Sequence, residues 1–248
     1  MFQFSEKINR DNYFRFDKNW IENMNWATLP LASKALLPAI AIHCNGKGEA
    51  YPGETTIAIL SGLSNKTVRS GIKALLGFPG FNLSRYLTAQ GRRAKKFKME
   101  FPPANTTKRY FPFHQCILTG GNWMQLKSAS QALYPVMRSY SFFDKELYSE
   151  LEEEEFDPME FKEFYKNRKW DLCKAEVKTM ALTAGITERA VYKSLKDLEE
   201  HSLIEDLNYD EENCRRWKVY LIPPKYYKRA YLNREIMKRH RSEQITGQ

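Results

Sequence analysis

Laid on itself at a constant offset of 97 residues, the stretch Tyr13–Cys44 matches Tyr110–Ser141 at 11 of 32 positions without a gap. The identities are Tyr13/Tyr110, Phe14/Phe111, Phe16/Phe113, Asn25/Asn122, Trp26/Trp123, Leu29/Leu126, Ala32/Ala129, Ser33/Ser130, Ala35/Ala132, Leu36/Leu133 and Pro38/Pro135. So many matches in one register exceed compositional chance and imply two copies of one structural unit. Both copies close on an apolar residue and two prolines, Phe101-Pro102-Pro103 and Ile222-Pro223-Pro224. At 248 residues, each copy has enough chain to bury a core of its own.

Within the first copy, Tyr13 to Phe16 alternates like a short strand, and Ala32 to His43 reads as a helix in which Pro38 implies a kink or a break. Residues 54–76 carry a helix-turn-helix pattern. A helix from about Glu54 to Ser61 ends at Gly62, and Ser64 caps a second helix with Val68, Ile72 and Leu75 at helical spacing. Ala58 is small enough for the two helices to cross closely, and Gly62 tolerates the positive φ of a tight turn. Strand-like stretches 81–88 and 95–101 follow, joined at Ala89-Gln90-Gly91-Arg92. Three helices and a β-hairpin make a winged helix. In the second copy Ala181, Gly185, Thr187, Val191, Leu195 and Leu198 take the places of Ala58, Gly62, Ser64, Val68, Ile72 and Leu75, and a hairpin follows at roughly 203–208 and 215–222. The expected fold is therefore mainly α with small β-hairpins, an α+β chain of two tandem winged helices. Its parts are a leader (1–12), winged helix 1 (13–103), winged helix 2 (104–224) with an acidic helical insert at about 142–172, and a basic tail (225–248).

The chain is basic, with a net charge of +9, and the charge is unevenly spread. Residues 1–120 carry 17 Lys and Arg against 7 Asp and Glu; residues 121–224 carry 15 against 21; the tail carries 7 against 2. A polyanion partner for the first copy is the direct implication. With Val68, Ile72 and Leu75 turned inward, Lys66, Ser70 and Lys73 lie outward, flanked by Arg69, and Ser64, Asn65 and Thr67 sit at the helix start. Arg189, Lys193 and Lys196 are the outward residues of the second copy, with Tyr192 beside them and Thr187 at the cap. Helices of this kind fit the major groove, where Lys and Arg donate to guanine O6 and N7. The first hairpin adds Arg92, Arg93, Lys95, Lys96 and Lys98, expected to pair with phosphates. The second hairpin has an acidic tip, Asp210-Glu211-Glu212, which only Arg215, Arg216 and Lys218 offset. The second copy is thus either a weaker DNA reader or a module for a homodimer or protein partner.

Other segments say less. Glu152 to Glu155 reads as a solvated helix face, and Phe156, Met159, Phe161, Phe164 and Tyr165 of the insert are expected to face protein. The tail interleaves Tyr226, Tyr227, Tyr231 and Leu232 with cations, to track DNA or to pack on the acidic insert. Trp26 and Trp123 read as core anchors. Cys44, Cys116, Cys173 and Cys214 are scattered with no CxxC pair, so neither a zinc site nor a disulfide framework is indicated. There is no Walker loop, GxGxxG, GxSxG or HExxH, and the four histidines are isolated, so the expectation is no enzyme and no cofactor. The start lacks a secretory layout and no apolar run approaches a membrane span, which points to a cytoplasmic protein.

The succession from Asn25 to Leu75, with Tyr51-Pro52-Gly53 at the turn into the helix pair, resembles the helix-turn-helix domains of phage and plasmid replication or regulatory proteins. Two such domains in a chain of this length are similar to the tandem winged-helix plasmid replication initiators. In that family the second domain is the principal reader, whereas here the first carries the charge and the basic wing. The resemblance implies sequence-specific binding of double-stranded DNA in the transcription or replication control of a mobile element. An initiator proper, binding repeated origin sites, is one alternative. A protein-interaction adaptor, with the winged helices as scaffold, is another.

Overall fold

The computed structural model describes residues 12–91, 93–106, 109–152, 168–207 and 215–226 and is mixed α/β. Its first part runs β1 (Tyr13–Asp17), α1 (Asn19–Glu22), α2 (Asn25–Thr28), α3 (Leu31–Ala41), β2 (Glu49–Ala50), α4 (Glu54–Ser61), α5 (Asn65–Ala74), β3 (Phe81–Leu87) and β4 (Arg93–Met99). Among the described residues the second follows the same order with two additions, β6 and α9. It comprises β5 (Tyr110–His114), α6 (Cys116–Thr119), α7 (Asn122–Gln125), α8 (Ser128–Tyr140), β6 (Ser141–Phe142), α9 (Lys145–Glu152), β7 (Trp170–Cys173), α10 (Val177–Ala184), α11 (Glu188–Glu200), β8 (Ile204–Asp206) and β9 (Trp217–Tyr220). The strands form a β1-β5 ribbon, a β2-β4-β3 sheet and a β6-β7-β9-β8 sheet.

Contacts between the two parts are reciprocal. In the ribbon Arg15 faces Pro112, its own counterpart at the offset of 97, while Tyr13 faces His114 and Asp17 faces Tyr110. That register is what a two-fold axis through the Arg15–Pro112 pair would produce. Phe16 stacks on Phe111 at 4.8 Å and Phe14 on Phe113 at 5.1 Å, again the same contact with the parts exchanged. Trp26 donates its Nε1–H to the Ala132 carbonyl at 2.9 Å, and Trp123 donates to the Ala35 carbonyl at 3.0 Å. Gly62 and Gly185 close the pattern. Both adopt positive φ, +71° and +63°, and a Cβ on either would lie 2.2 or 2.1 Å from a carbonyl oxygen of the other part, Met124 or Ala27. Only a residue without a side chain fits there.

One hydrophobic core therefore runs through both parts, from Phe14 and Trp26 to Trp123 and Trp217, rather than one core per copy as the repeat led us to expect. Each part alone would leave its aromatic strand and its central helix uncovered. The same burial explains why α3 and α8 continue through Pro38 and Pro135; of the kink or break expected at Pro38, no break occurs. Ser33 to Ala41 are buried to the last residue, and packing on both sides outweighs the loss of one helical bond.

A buried lysine joins the parts at their centre. Lys34 donates from Nζ to the Ala184 carbonyl at 2.7 Å and to the Ala27 carbonyl at 3.2 Å, so it closes the end of α10. Gln131, its counterpart, donates to the Ser61 carbonyl at the end of α4 at 3.0 Å. Burial lowers the Lys34 pKa to about 8. The folded chain then releases a proton that the unfolded chain keeps up to its ordinary lysine range. Stability contributed by this group thus rises with pH from about 8 to about 10.5. Lys34→Gln, copying the other part, should remove that slope, at most about 1.4 kcal/mol per pH unit. Urea unfolding of both chains from pH 7 to 10 checks this; parallel curves would show that Lys34 does not titrate as described.

In the described part of the acidic insert helix α9 is formed, but the insert's end at 170–172, expected to be helical, belongs to the buried strand β7. Tyr148 of α9 stacks on Trp170 at 4.8 Å, so α9 covers the outer face of the second sheet. Glu152 is not on a solvated face: it accepts from Lys169 Nζ at 2.5 Å and Trp170 Nε1 at 2.8 Å, with Lys218 Nζ at 3.7 Å. Burial pushes its carboxyl up, but these donors and cations outweigh it and hold it below the usual range. Asp171 behaves alike: desolvation is outweighed by Arg138 and Arg168, at 3.1 and 2.5 Å. Glu153 to Glu155 and Phe156, Met159, Phe161, Phe164 and Tyr165 lie outside the described residues.

Candidate nucleic-acid interface

The surface begins with a capped helix. Ser64 Oγ accepts from the Thr67 N–H at 3.2 Å and starts α5. Thr187 does the same for α11 through the Ala190 N–H at 3.2 Å. Ser64→Ala should cost about 1 kcal/mol in urea unfolding, and an unchanged midpoint would remove the cap from the account. Val68 and Ile72 are buried against α3, and Gly71 lets the helices touch, since a Cβ there would meet Leu36 at 2.5 Å. Asn65, Lys66, Arg69, Ser70 and Lys73 are left exposed along an open face, and Thr67 half-exposed. Ten residues make that face about 15 Å long.

The hairpin β3–β4 is tied to this helix by one carboxylate. Glu54, first residue of α4, accepts from Arg69 Nε at 2.7 Å and from Lys95 Nζ at 2.6 Å. Both bonds hold its carboxyl below the ordinary range. Alternation along the ladder then sorts the hairpin cations by face. Arg85 opposes Lys95, and Leu87 opposes Arg93, on the face whose inner end is Phe81, Phe97 and Met99. Beyond the core's edge that face carries Arg85, Arg93 and Lys95 toward α5. Lys96 and Lys98 lie on the opposite face, where Lys96 pairs with Glu49 at 2.5 Å. The hairpin cations expected to pair with phosphates are thus divided between two faces, because a strand shows alternate residues to opposite sides. Arg92 lies outside the described residues. Arg85 was missed by the sequence reading, although two-residue spacing from Phe81 and Leu83 was the signal for it.

The opposite face also holds an aromatic pair. Tyr51 donates its O–H to Glu49 Oε2 at 2.9 Å and meets Tyr86 edge-on at 5.5 Å, both rings exposed. In the second sheet the equivalent face holds Trp170, Leu172 and Tyr220 around Lys218 and is covered by α9.

In the second part Thr187, Arg189, Tyr192, Lys193 and Lys196 are all exposed on α11. Arg215 lies over the Tyr192 ring at 5.7 Å, joining helix and hairpin at the places that Arg69 and Lys95 hold in the first part. Arg216, expected beside it, is half-buried; its carbonyl accepts from the Leu207 N–H at 3.0 Å, and alternation puts it on the other side. Lys218 is buried, with Glu152 and the exposed Glu205 within 4.0 Å, and is therefore no surface cation. The tip at Asp210-Glu211-Glu212 and the tail from Tyr227, including Tyr231 and Leu232, lie outside the described residues. Tyr226 packs on the second part, its hydroxyl beside Gly120.

Among the described residues no group of three metal-ligating side chains occurs, and no helix is long and apolar enough to cross a membrane. Burial pushes the Cys44 and Cys173 thiols up to about 12 and about 11, which suits packing rather than nucleophilic chemistry. Neither a family model, nor a curated protein, nor a solved structure matches the chain.

Proposed function

We propose that the chain is a sequence-specific double-stranded DNA-binding protein built from two tandem winged helices that arose by duplication. The duplication is supported by the element order shared by the two parts and by their reciprocal contacts. The winged-helix reading is supported by the helix pair α4–α5 followed by β3–β4, with β2 completing the sheet on the far side of β4. α5 enters a major groove with Lys66, Arg69, Ser70 and Lys73 toward the bases, and Arg85, Arg93 and Lys95 meet the flanking phosphates. α11 offers a second, chemically different reading face in Arg189, Tyr192, Lys193 and Lys196.

A single observation carries this reading: Glu54 joins Arg69 of the exposed helix to Lys95 of the hairpin, so two cationic elements form one continuous surface. Transcription or replication control of a plasmid- or phage-type element is the biological role that the sequence resemblance favours. Binding of duplex DNA over a salt series tests the proposal. With four to six phosphates engaged, the slope of log K against log salt should be roughly −4 to −5. An adaptor that leaves DNA alone would show no binding at any salt.

A further inference from the structure

We propose that Glu54 is a specificity-determining residue of this surface: its carboxylate fixes the hairpin against the recognition helix and keeps phosphates out of the gap between them. This deepens the DNA-binding reading and rests on it. An acid in the middle of a basic surface weakens attraction for every duplex alike. Helix polarity alone does not account for it, because an acid at the start of α4 would favour that terminus without contacting another element. Instead Glu54 reaches two: both of its oxygens are engaged, one by α5 and one by β4.

The geometry separates the roles of the two cations. Glu54 engages Arg69 through Nε, so the Nη groups at the tip of the guanidinium remain for a base edge. The Arg69 side chain is 69% exposed while that of Glu54 is only 26% exposed, so the cation stands outward on a fixed support. A planar fork held in one orientation is what bidentate recognition of guanine requires. On the hairpin, the bond to Lys95 sets the angle at which Arg85 and Arg93 approach the backbone. The second part has Val177 in place of Glu54, and there Arg215 rests directly on Tyr192. The carboxylate clamp thus belongs to the more basic of the two surfaces, where unselective phosphate binding would otherwise be strongest.

Glu54→Gln removes the charge and leaves a single amide oxygen to accept from two cations. Its effect on binding should have opposite signs for different duplexes. Affinity for a scrambled duplex should rise several-fold at low salt. The ratio of affinities for a site selected from random duplexes over the scrambled one should fall about tenfold, within the range that one well-placed base contact contributes. In the DNA-free chain, amide exchange across β3–β4 should accelerate. Glu54→Asp, one methylene shorter, should retain the charge yet fail to bridge, and so lose discrimination without the gain in unselective affinity. A wild-type chain that discriminates while Glu54→Gln discriminates equally well overturns this proposal alone. Parallel losses for both duplexes, or unchanged exchange in the hairpin, overturn it too, leaving Glu54 a stabilising residue only. A wild-type chain that binds neither duplex overturns the DNA reading and this inference with it.

Discussion

Gly62→Ala and Gly185→Ala are each expected to destabilise the chain by roughly 2–5 kcal/mol. A side chain at positive φ costs on the order of 1–2 kcal/mol, and forcing a methyl into a filled site costs about 1–3 kcal/mol more. The obstacle here is backbone, the Met124 or Ala27 carbonyl oxygen at 2.2 or 2.1 Å, which belongs to the other part of the chain and cannot rotate away. The two parts would have to separate locally. Gly53→Ala is the control: its φ is −70° and a Cβ there meets nothing within 4 Å, so a change within about 0.5 kcal/mol is expected. Urea unfolding monitored by tryptophan fluorescence reads both, since Trp26 and Trp123 lie at the junction. If Gly62→Ala behaved like Gly53→Ala, the close approach of the two parts would be wrong.

Charge reversal on the hairpin should separate its two faces. Arg85→Glu, Arg93→Glu and Lys95→Glu together remove three cations from the side facing α5. The expected loss of duplex affinity is on the order of a thousandfold near 100 mM salt, with the salt slope shallower by about 3. Lys96→Glu and Lys98→Glu change the opposite face, turned away from α5, and should cost about tenfold or less. Equal losses would mean that the hairpin meets DNA edge-on or not at all. On the helix, Lys66→Ala or Lys73→Ala should relax base preference by about 1–3 kcal/mol while leaving most unselective binding intact.

The repeat, the helix pair and both caps were legible because each depends on local chemistry. Ser64 and Thr187 accept the bonds that their side chains predict, and Val68, Ile72, Val191, Leu195 and Leu198 point inward at helical spacing. What sequence could not convey was the partner of each buried face. Trp26 and Trp123 are core residues as expected, but nothing local says that each donates to a helix of the other part of the chain. Lys34 illustrates the same limit. Nothing in a helix of Ala, Leu and Pro marks a lysine for burial, and only the carbonyl end of α10, 150 residues away, makes its burial intelligible. The cations were found by composition but not sorted by face, since a run such as Arg93-Ala94-Lys95-Lys96 shows its sides only once the ladder register is fixed. The strand at Trp170–Cys173 was concealed by the charged segment preceding it, although its burial beneath α9 follows from the apolar face it shares with Tyr220.

The most direct test of the DNA-binding account is selection from a pool of random duplexes, with the full chain and its Lys66→Ala, Ser70→Ala, Lys73→Ala form in parallel. We predict an enriched site for the wild type, with base preference lost at one contiguous block in the triple variant while neighbouring positions keep theirs. A wild-type pool that stays random after repeated rounds, or a triple variant that enriches the identical site, would contradict it.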